Sequence, residues 1–137
     1  MRQIAIWGTV VVLAHAVVSA VHGVAHMQVG VEIFPTLVHV VFVVGVITVA
    51  PLVAMALLWT RFRRAGALLL LVSMAESLGF GVWYHYLAHG PDHVSQIPHG
   101  AWGMVFHVTA FLLCVTEILG LHVGMRGIRA FRNDSTT

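Results

Sequence analysis

Residues 4–29 read IAIWGTVVVLAHAVVSAVHGVAHMQV and contain no aspartate, glutamate, lysine or arginine. At about 1.5 Å of rise per residue, a helix of this length exceeds the roughly 30 Å of hydrocarbon in a bilayer. A bilayer offers no water to exposed backbone groups, so a span of this kind has to be helical. The stretch therefore predicts a membrane helix with His15, His22 and His26 inside it.

Three more apolar stretches follow, at about 33–60, 65–88 and 100–125. The chain is 59% hydrophobic and only 9% charged, whereas soluble domains carry roughly 25% charged residues. These features predict an all-α integral membrane protein, with residues 1–137 forming a single four-transmembrane-helix bundle. An outer loop at 89–99 and a polar tail at 133–137 complete the chain. Its expected partner is the lipid bilayer and not nucleic acid.

The basic residues orient this bundle. There are seven arginines and no lysine, and the four spans put all of them on one side of the membrane. The positive-inside rule makes that side the cytoplasm, which predicts a multi-pass protein of the cytoplasmic membrane with both termini inside. A cleaved signal peptide ending at Val18-Ser19-Ala20 is the competing interpretation, but the apolar character continues past Ala20. The arginines are Arg2, Arg61, Arg63, Arg64, Arg126, Arg129 and Arg132.

Ten histidines are a large excess for such a chain, and ionisable groups within a membrane default to a functional interpretation. Counted from the outer helix ends, one histidine from each helix lies roughly 6 to 13 Å below the outer surface. These four are the candidate cofactor-binding residues: His22, His39, His85 and His107. A shallower group adds candidate metal ligands: His26, His89, His93, His99 and Asp92. His15, near mid-membrane, and His122, near the inner face, fall outside both groups.

Two helices each present a histidine pair at i, i+4 spacing, His22 with His26 and His85 with His89. This spacing lets two imidazoles reach one ion, and imidazole suits copper, zinc and iron. The sequence therefore predicts a transition-metal site near the outer face, to which Asp92, His93 and His99 would control access. A redox role and a metal-handling role both stay open, as does enzymatic activity.

Two other functions remain compatible with the same residues. In a b-type cytochrome, two of these histidines would ligate haem b from opposite helices. In a non-catalytic structural or accessory subunit, the imidazoles would only form hydrogen bonds between helices. A homo-oligomer or a larger membrane complex is open as well. The small-residue pair Gly120 and Gly124 predicts a close helix contact, either within the bundle or between protomers.

Two glutamates, Glu76 and Glu117, fall inside apolar stretches. Each is either part of a proton path or second site, or a neutral carboxyl that forms a hydrogen bond. Glu76 lies nine residues before His85, which is about half a turn around a helix. Both side chains therefore cannot face one centre unless the helix is distorted near Gly79-Phe80-Gly81.

The arginine pattern generates a prediction about topology. Reporters fused after Arg64 and at Thr137 should report a cytoplasmic location, and a reporter in the loop between Gly90 and Pro98 a periplasmic one. Paired fusions to alkaline phosphatase and to a green fluorescent protein measure this directly. A periplasmic C-terminus would contradict the four-span arrangement.

Overall fold

The structure is a computed structural model that describes residues 2–32 and 36–133, apart from the side chains of Arg132 and Asn133. Those residues form four long helices and no strand. Each helix is long and apolar enough to cross a membrane, so the predicted all-helical architecture is confirmed. A 3-10 turn, Val94–Gln96, lies between the last two helices. The helices are α1 (Arg2–Val29), α2 (Leu37–Leu58), α3 (Arg63–Leu87) and α4 (Ala101–Asn133).

The helix ends differ from the apolar stretches at several points. The first described residue of α2 is Leu37, capped by the Thr36 hydroxyl, while positions 33–35 lie outside the described residues. Helix α4 continues past residue 125 to Asn133. Hydropathy marks the part of a helix that fits in lipid, whereas backbone hydrogen bonding continues into the polar segment beyond it. Of the predicted tail at 133–137, positions 134–137 lie outside the described residues.

Helix α4 packs against both α1 and α3, and α2 completes the bundle against α3. A Cβ atom at Gly124 would stand 2.9 Å from the backbone nitrogen of Leu71, and one at Gly120 would stand 2.6 Å from the Met74 Cγ. The two glycines therefore allow close approach of α3 and α4 within the bundle. The larger apolar core lies beside this contact: Ala5, Val12, Ala54, Leu58, Ala67, Leu70, Met74 and Phe131.

Helix α1 ends in a glycine-terminated turn close to the candidate histidines. Gly30 has a φ of 75°, which an L residue with a side chain rarely adopts. Its N–H donates to the Met27 carbonyl, and the Val31 N–H donates to the His26 carbonyl at 3.0 Å. This pair of bonds is the Schellman arrangement that closes a helix. It places His26 in the last turn of α1.

Helix α3 ends in a π-helical segment, Trp83–Leu87, that contains His85. The Ala88 N–H donates to the Trp83 carbonyl at 2.7 Å, and Ala88 itself is extended. Such wide turns occur often at functional sites, because they reorient one side chain within a helix. His85 is consequently buried, while His89 lies beyond the helix and is exposed. The i, i+4 geometry expected for His85 and His89 is therefore absent.

Candidate metal centre

Three buried histidines meet between α1 and α3, at the end of the bundle that carries the loop between α3 and α4. His22, His26 and His85 are 6%, 5% and 8% exposed. One potential ligand atom from each lies within 4.8 Å of the others. The fully buried ring of Phe106, on α4, contacts all three imidazoles, with ring centroids 4.7 to 5.4 Å apart. The group therefore has a dry apolar wall on the α4 side.

The proton position on His22 follows from its neighbour Thr109. The Thr109 hydroxyl donates to the Val105 carbonyl at 2.7 Å, so it is available to His22 as an acceptor. His22 Nδ1 lies 2.8 Å from that hydroxyl oxygen and donates to it. A neutral imidazole carries one hydrogen. This tautomer leaves the lone pair of His22 Nε2 free for a metal ion, whereas in the other tautomer His22 Nε2 donates to His85 Nε2.

His85 is held in the same tautomer by the outer loop. Its Nδ1 lies 3.1 Å from the backbone carbonyl oxygen of Asp92, and a carbonyl oxygen can only accept. His85 Nδ1 thus carries the hydrogen, and Nε2 is again bare. The two Nε2 atoms of His22 and His85 face each other at 3.3 Å. A hydrogen on His22 Nε2 joins the two nitrogens by a hydrogen bond, and a metal ion that takes its place is bound by both lone pairs.

The spacing of these nitrogens fits a tetrahedral metal ion. Two imidazole nitrogens bound to one zinc ion at about 2.0–2.1 Å lie about 3.3–3.4 Å apart when the geometry is tetrahedral. The observed separation of 3.3 Å between the Nε2 atoms of His22 and His85 matches that nitrogen–nitrogen distance. A bound metal ion replaces the contact between the two nitrogens with two coordinate bonds. The arrangement is thus complementary to a metal ion before one is bound.

His26, which lies next to Asp92, is the third potential ligand. His26 Nδ1 and Asp92 Oδ1 are 3.6 Å apart, and each is buried without a hydrogen-bond partner among the described residues. Hydrogen bonds between such atoms need about 2.7–3.2 Å, so a small rotation of either side chain closes the pair. A carboxylate that accepts from one ring nitrogen orients the other towards a metal. Asp92 therefore contacts two of the three histidines, His85 through its backbone and His26 through its carboxylate.

A cavity of about 90 Å³ adjoins the three histidines. It is lined in part by His39, Phe80 and Asp92, and it extends inward to Ser77 and Glu117. Three protein ligands leave one position of a tetrahedral ion open, as in catalytic zinc sites. Because the cavity holds only a few waters at about 30 Å³ each, a small molecule or ion is the natural occupant of that position.

The other predicted ligands lie apart from this group. His39 lines the same cavity, but it packs against Tyr84 and its Nδ1 is 2.7 Å from the Thr36 hydroxyl. His107 is exposed, and its two ring nitrogens lie against the carbonyl oxygens of Gly103 and, at 2.9 Å, Val94. Its ring therefore fastens the outer loop to α4. The angular phase of α4 explains this, because Phe106 occupies the inward position and His107 follows it by about 100°.

The loop histidines are near the surface. His93 Nε2 donates to the Tyr86 carbonyl at 3.2 Å, and His93 Nδ1 accepts from the Ser95 backbone N–H. Its ring stacks on His89, with centroids 5.5 Å apart. His99 is exposed. The access-controlling role predicted for this loop thus rests on Asp92, which reaches the buried group.

Two residues of the site were missed from the sequence, Thr109 and Phe106. Thr109 and Thr116 are spaced by seven on α4, and each forms a hydrogen bond with a histidine of α1. Polar residues repeating at i, i+7 in an apolar helix mark one face. That repeat would have identified the inward face of α4.

Comparisons of the chain with protein-family models, curated proteins and solved structures found no match.

The role of Thr109 can be tested by removing only its hydroxyl. Thr109→Val should weaken metal binding to the detergent-solubilised protein about tenfold or more, because His22 loses the acceptor that fixes its tautomer. His22→Ala should weaken it at least as much. Competition with a metallochromic indicator measures both affinities.

The matched control is Thr116→Val, which removes the same kind of bond from His15 on the same pair of helices. Its metal affinity should stay within a factor of about two of the original, because His15 lies outside the group. Equal losses in the two valine variants would contradict the assignment of Thr109.

Proposed function

We propose that this protein is a multi-pass membrane metalloprotein that binds one transition-metal ion through His22, His26 and His85 near its outer face. The observation that carries the proposal is the buried group of His22, His26 and His85, in which the Nε2 atoms of His22 and His85 are 3.3 Å apart. Each is oriented by an acceptor on the far side of its ring, Thr109 or Asp92. Supported ligand orientation of this kind is typical of built metal sites.

The surface of the bundle supports membrane insertion. Large apolar side chains are exposed along every helix, among them Val17, Val41, Val72 and Phe111. A soluble monomer rarely exposes so much contiguous apolar surface. We therefore propose lipid as the solvent for the middle of the bundle.

The arginines support the orientation. The Arg63 guanidinium lies 5.3 Å from the ring centroid of Phe131 near the end of α4, and Ile4 lies beside Gly127. The start of α1, the α2–α3 turn and the end of α4 thus gather at one end. The histidine group lies at the opposite end, which the positive-inside rule assigns to the outside in the cytoplasmic membrane.

The ligand set favours zinc, copper or iron, all of which bind neutral imidazole well. Three histidines and an open position suit an ion that exchanges, or that binds a small ligand, better than a closed structural site. Zinc would give a metal-handling or hydrolytic centre, whereas copper or iron would give a redox centre. The metal content of the protein purified from its native membrane distinguishes these roles.

The geometry is less suitable for haem b. Two axial imidazoles on one iron lie on opposite sides of the macrocycle, about 4 Å apart at bond lengths near 2 Å. His22 and His85 are closer than that, and their rings contact each other edge to face at 5.0 Å. The adjoining cavity of about 90 Å³ also leaves no room for a planar macrocycle. A metal ion without a macrocycle can bind without any movement of α1 away from α3.

Metal retention should depend on pH. Only neutral imidazole binds metal, so protons compete for the same nitrogens. The unperturbed histidine pKa is about 6.5, and bound metal opposes protonation. Retention should therefore be constant near neutral pH and fall over about pH 6 to 5, in more than one proton step.

The measurement is elemental analysis with visible spectroscopy on detergent-solubilised protein equilibrated at a series of pH values. One metal ion per chain without a Soret band is expected at neutral pH. Protein that carries no metal at any pH, and binds none when zinc, copper or iron is added, would contradict the proposal. It would favour the structural interpretation, in which the imidazoles only join helices.

A further inference from the structure

The deeper end of the same cavity contains a buried carboxyl that the metal site does not use. Glu117, on α4, is 2% exposed and accepts a hydrogen bond from the Ser77 hydroxyl of α3. Its second oxygen, Oε2, is buried without a hydrogen-bond partner among the described residues. A buried unsatisfied carboxyl oxygen is uncommon in native proteins and requires an explanation.

An ionised carboxylate in this position would need a compensating positive charge. One carboxylate and one hydroxyl are too few ligands for a hard metal cation, which takes six or more oxygens. A single proton on Oε2 suffices to neutralise the group. The site is thus suited to binding a proton.

Glu117 and the three histidines line one continuous cavity. Thr109, which bonds His22, precedes Glu117 by eight residues on α4, which corresponds to about 12 Å along the helix. At that distance in a low-dielectric interior, a divalent cation at the histidines favours a negative charge on Glu117. Each element around Glu117 contributes other titratable groups to the cavity wall: His22, His26, His39, His85, Asp92 and Cys114. His15 lies next to the wall and forms a hydrogen bond with Thr116.

We propose that Glu117 is a proton-exchange site coupled to the metal site: its carboxyl releases one proton when a divalent ion binds His22, His26 and His85. This inference rests on the proposed function. The step is balanced, since the O–H bond of the carboxylic acid breaks, the carboxylate keeps the electron pair and the proton leaves through the cavity to water. No oxidant or reductant takes part. Binding of the divalent ion, with release of the proton, then adds one net positive charge to the cavity interior instead of two.

The test counts protons. Metal-free protein in weakly buffered detergent solution at about pH 7.5, where histidines of ordinary pKa are neutral, is titrated with zinc while a pH indicator reports released protons. The unmodified protein should release more protons per zinc ion than Glu117→Gln does, by up to about one. Glu117→Asp, which keeps a carboxyl, should restore the release.

The matched control is Glu76→Gln. Glu76 precedes Ser77 on α3 but is exposed on the outside of the bundle, so its replacement should leave the proton count unchanged. Difference infrared spectroscopy on the unmodified protein gives an independent readout. The carbonyl band of a protonated carboxylic acid should lose intensity on zinc binding, which needs no variant to fold.

The outcomes separate this inference from the proposed function. If zinc does not bind the unmodified protein, the metal site itself is wrong. If zinc binds through the histidines, but Glu117→Gln releases as many protons as the unmodified protein, or the infrared band is unchanged, proton coupling is overturned and the metal site stands.

Discussion

Two imidazole Nε2 atoms facing each other across 3.3 Å are the constraint on which the rest of the site depends. The arrangement exists only because Thr109 on α4 and Asp92 in the outer loop hold the opposite nitrogens of His22 and His85. Helices α1, α3 and α4 and the loop that carries Asp92 must therefore all be correctly placed relative to one another. Close packing at Gly120 and Gly124 fixes the position of α4 relative to α3, and this contact lies in the other half of the bundle.

The excess of histidines has two physical uses in this structure. Three are gathered in a dry pocket, where their lone pairs suit a metal ion. Others bond backbone carbonyls, as His93 does to Tyr86 and His107 to Val94, and so hold the loop that carries Asp92 against the bundle. A neutral imidazole can do this without the desolvation cost of a full charge. The second group of histidines thereby positions Asp92 beside the first.

The fold was largely predictable, because apolar runs of this length can only be helices in lipid. The depth argument found His22 and His85, since rise per residue is nearly constant. It failed for His107, because depth says nothing about the side of a helix, and Phe106 takes the inward side of α4. The i, i+4 spacing did not predict the position of His89, because the π-helical end of α3 changes the direction of the chain after Leu87. Such a local widening of a helix depends on tertiary packing and has no clear sequence signal.

The central claim is that His22, His26 and His85 together coordinate one metal ion. X-ray absorption at the edge of zinc bound to the purified protein tests it most directly. We expect three imidazole nitrogens at about 2.0–2.1 Å, completed by one light oxygen or nitrogen atom, with the outer-shell scattering that imidazole rings produce. Triple replacement of the three histidines should abolish this spectrum. A shell of oxygens without imidazole scattering, or a sulfur at about 2.3 Å from Cys114, would contradict the account.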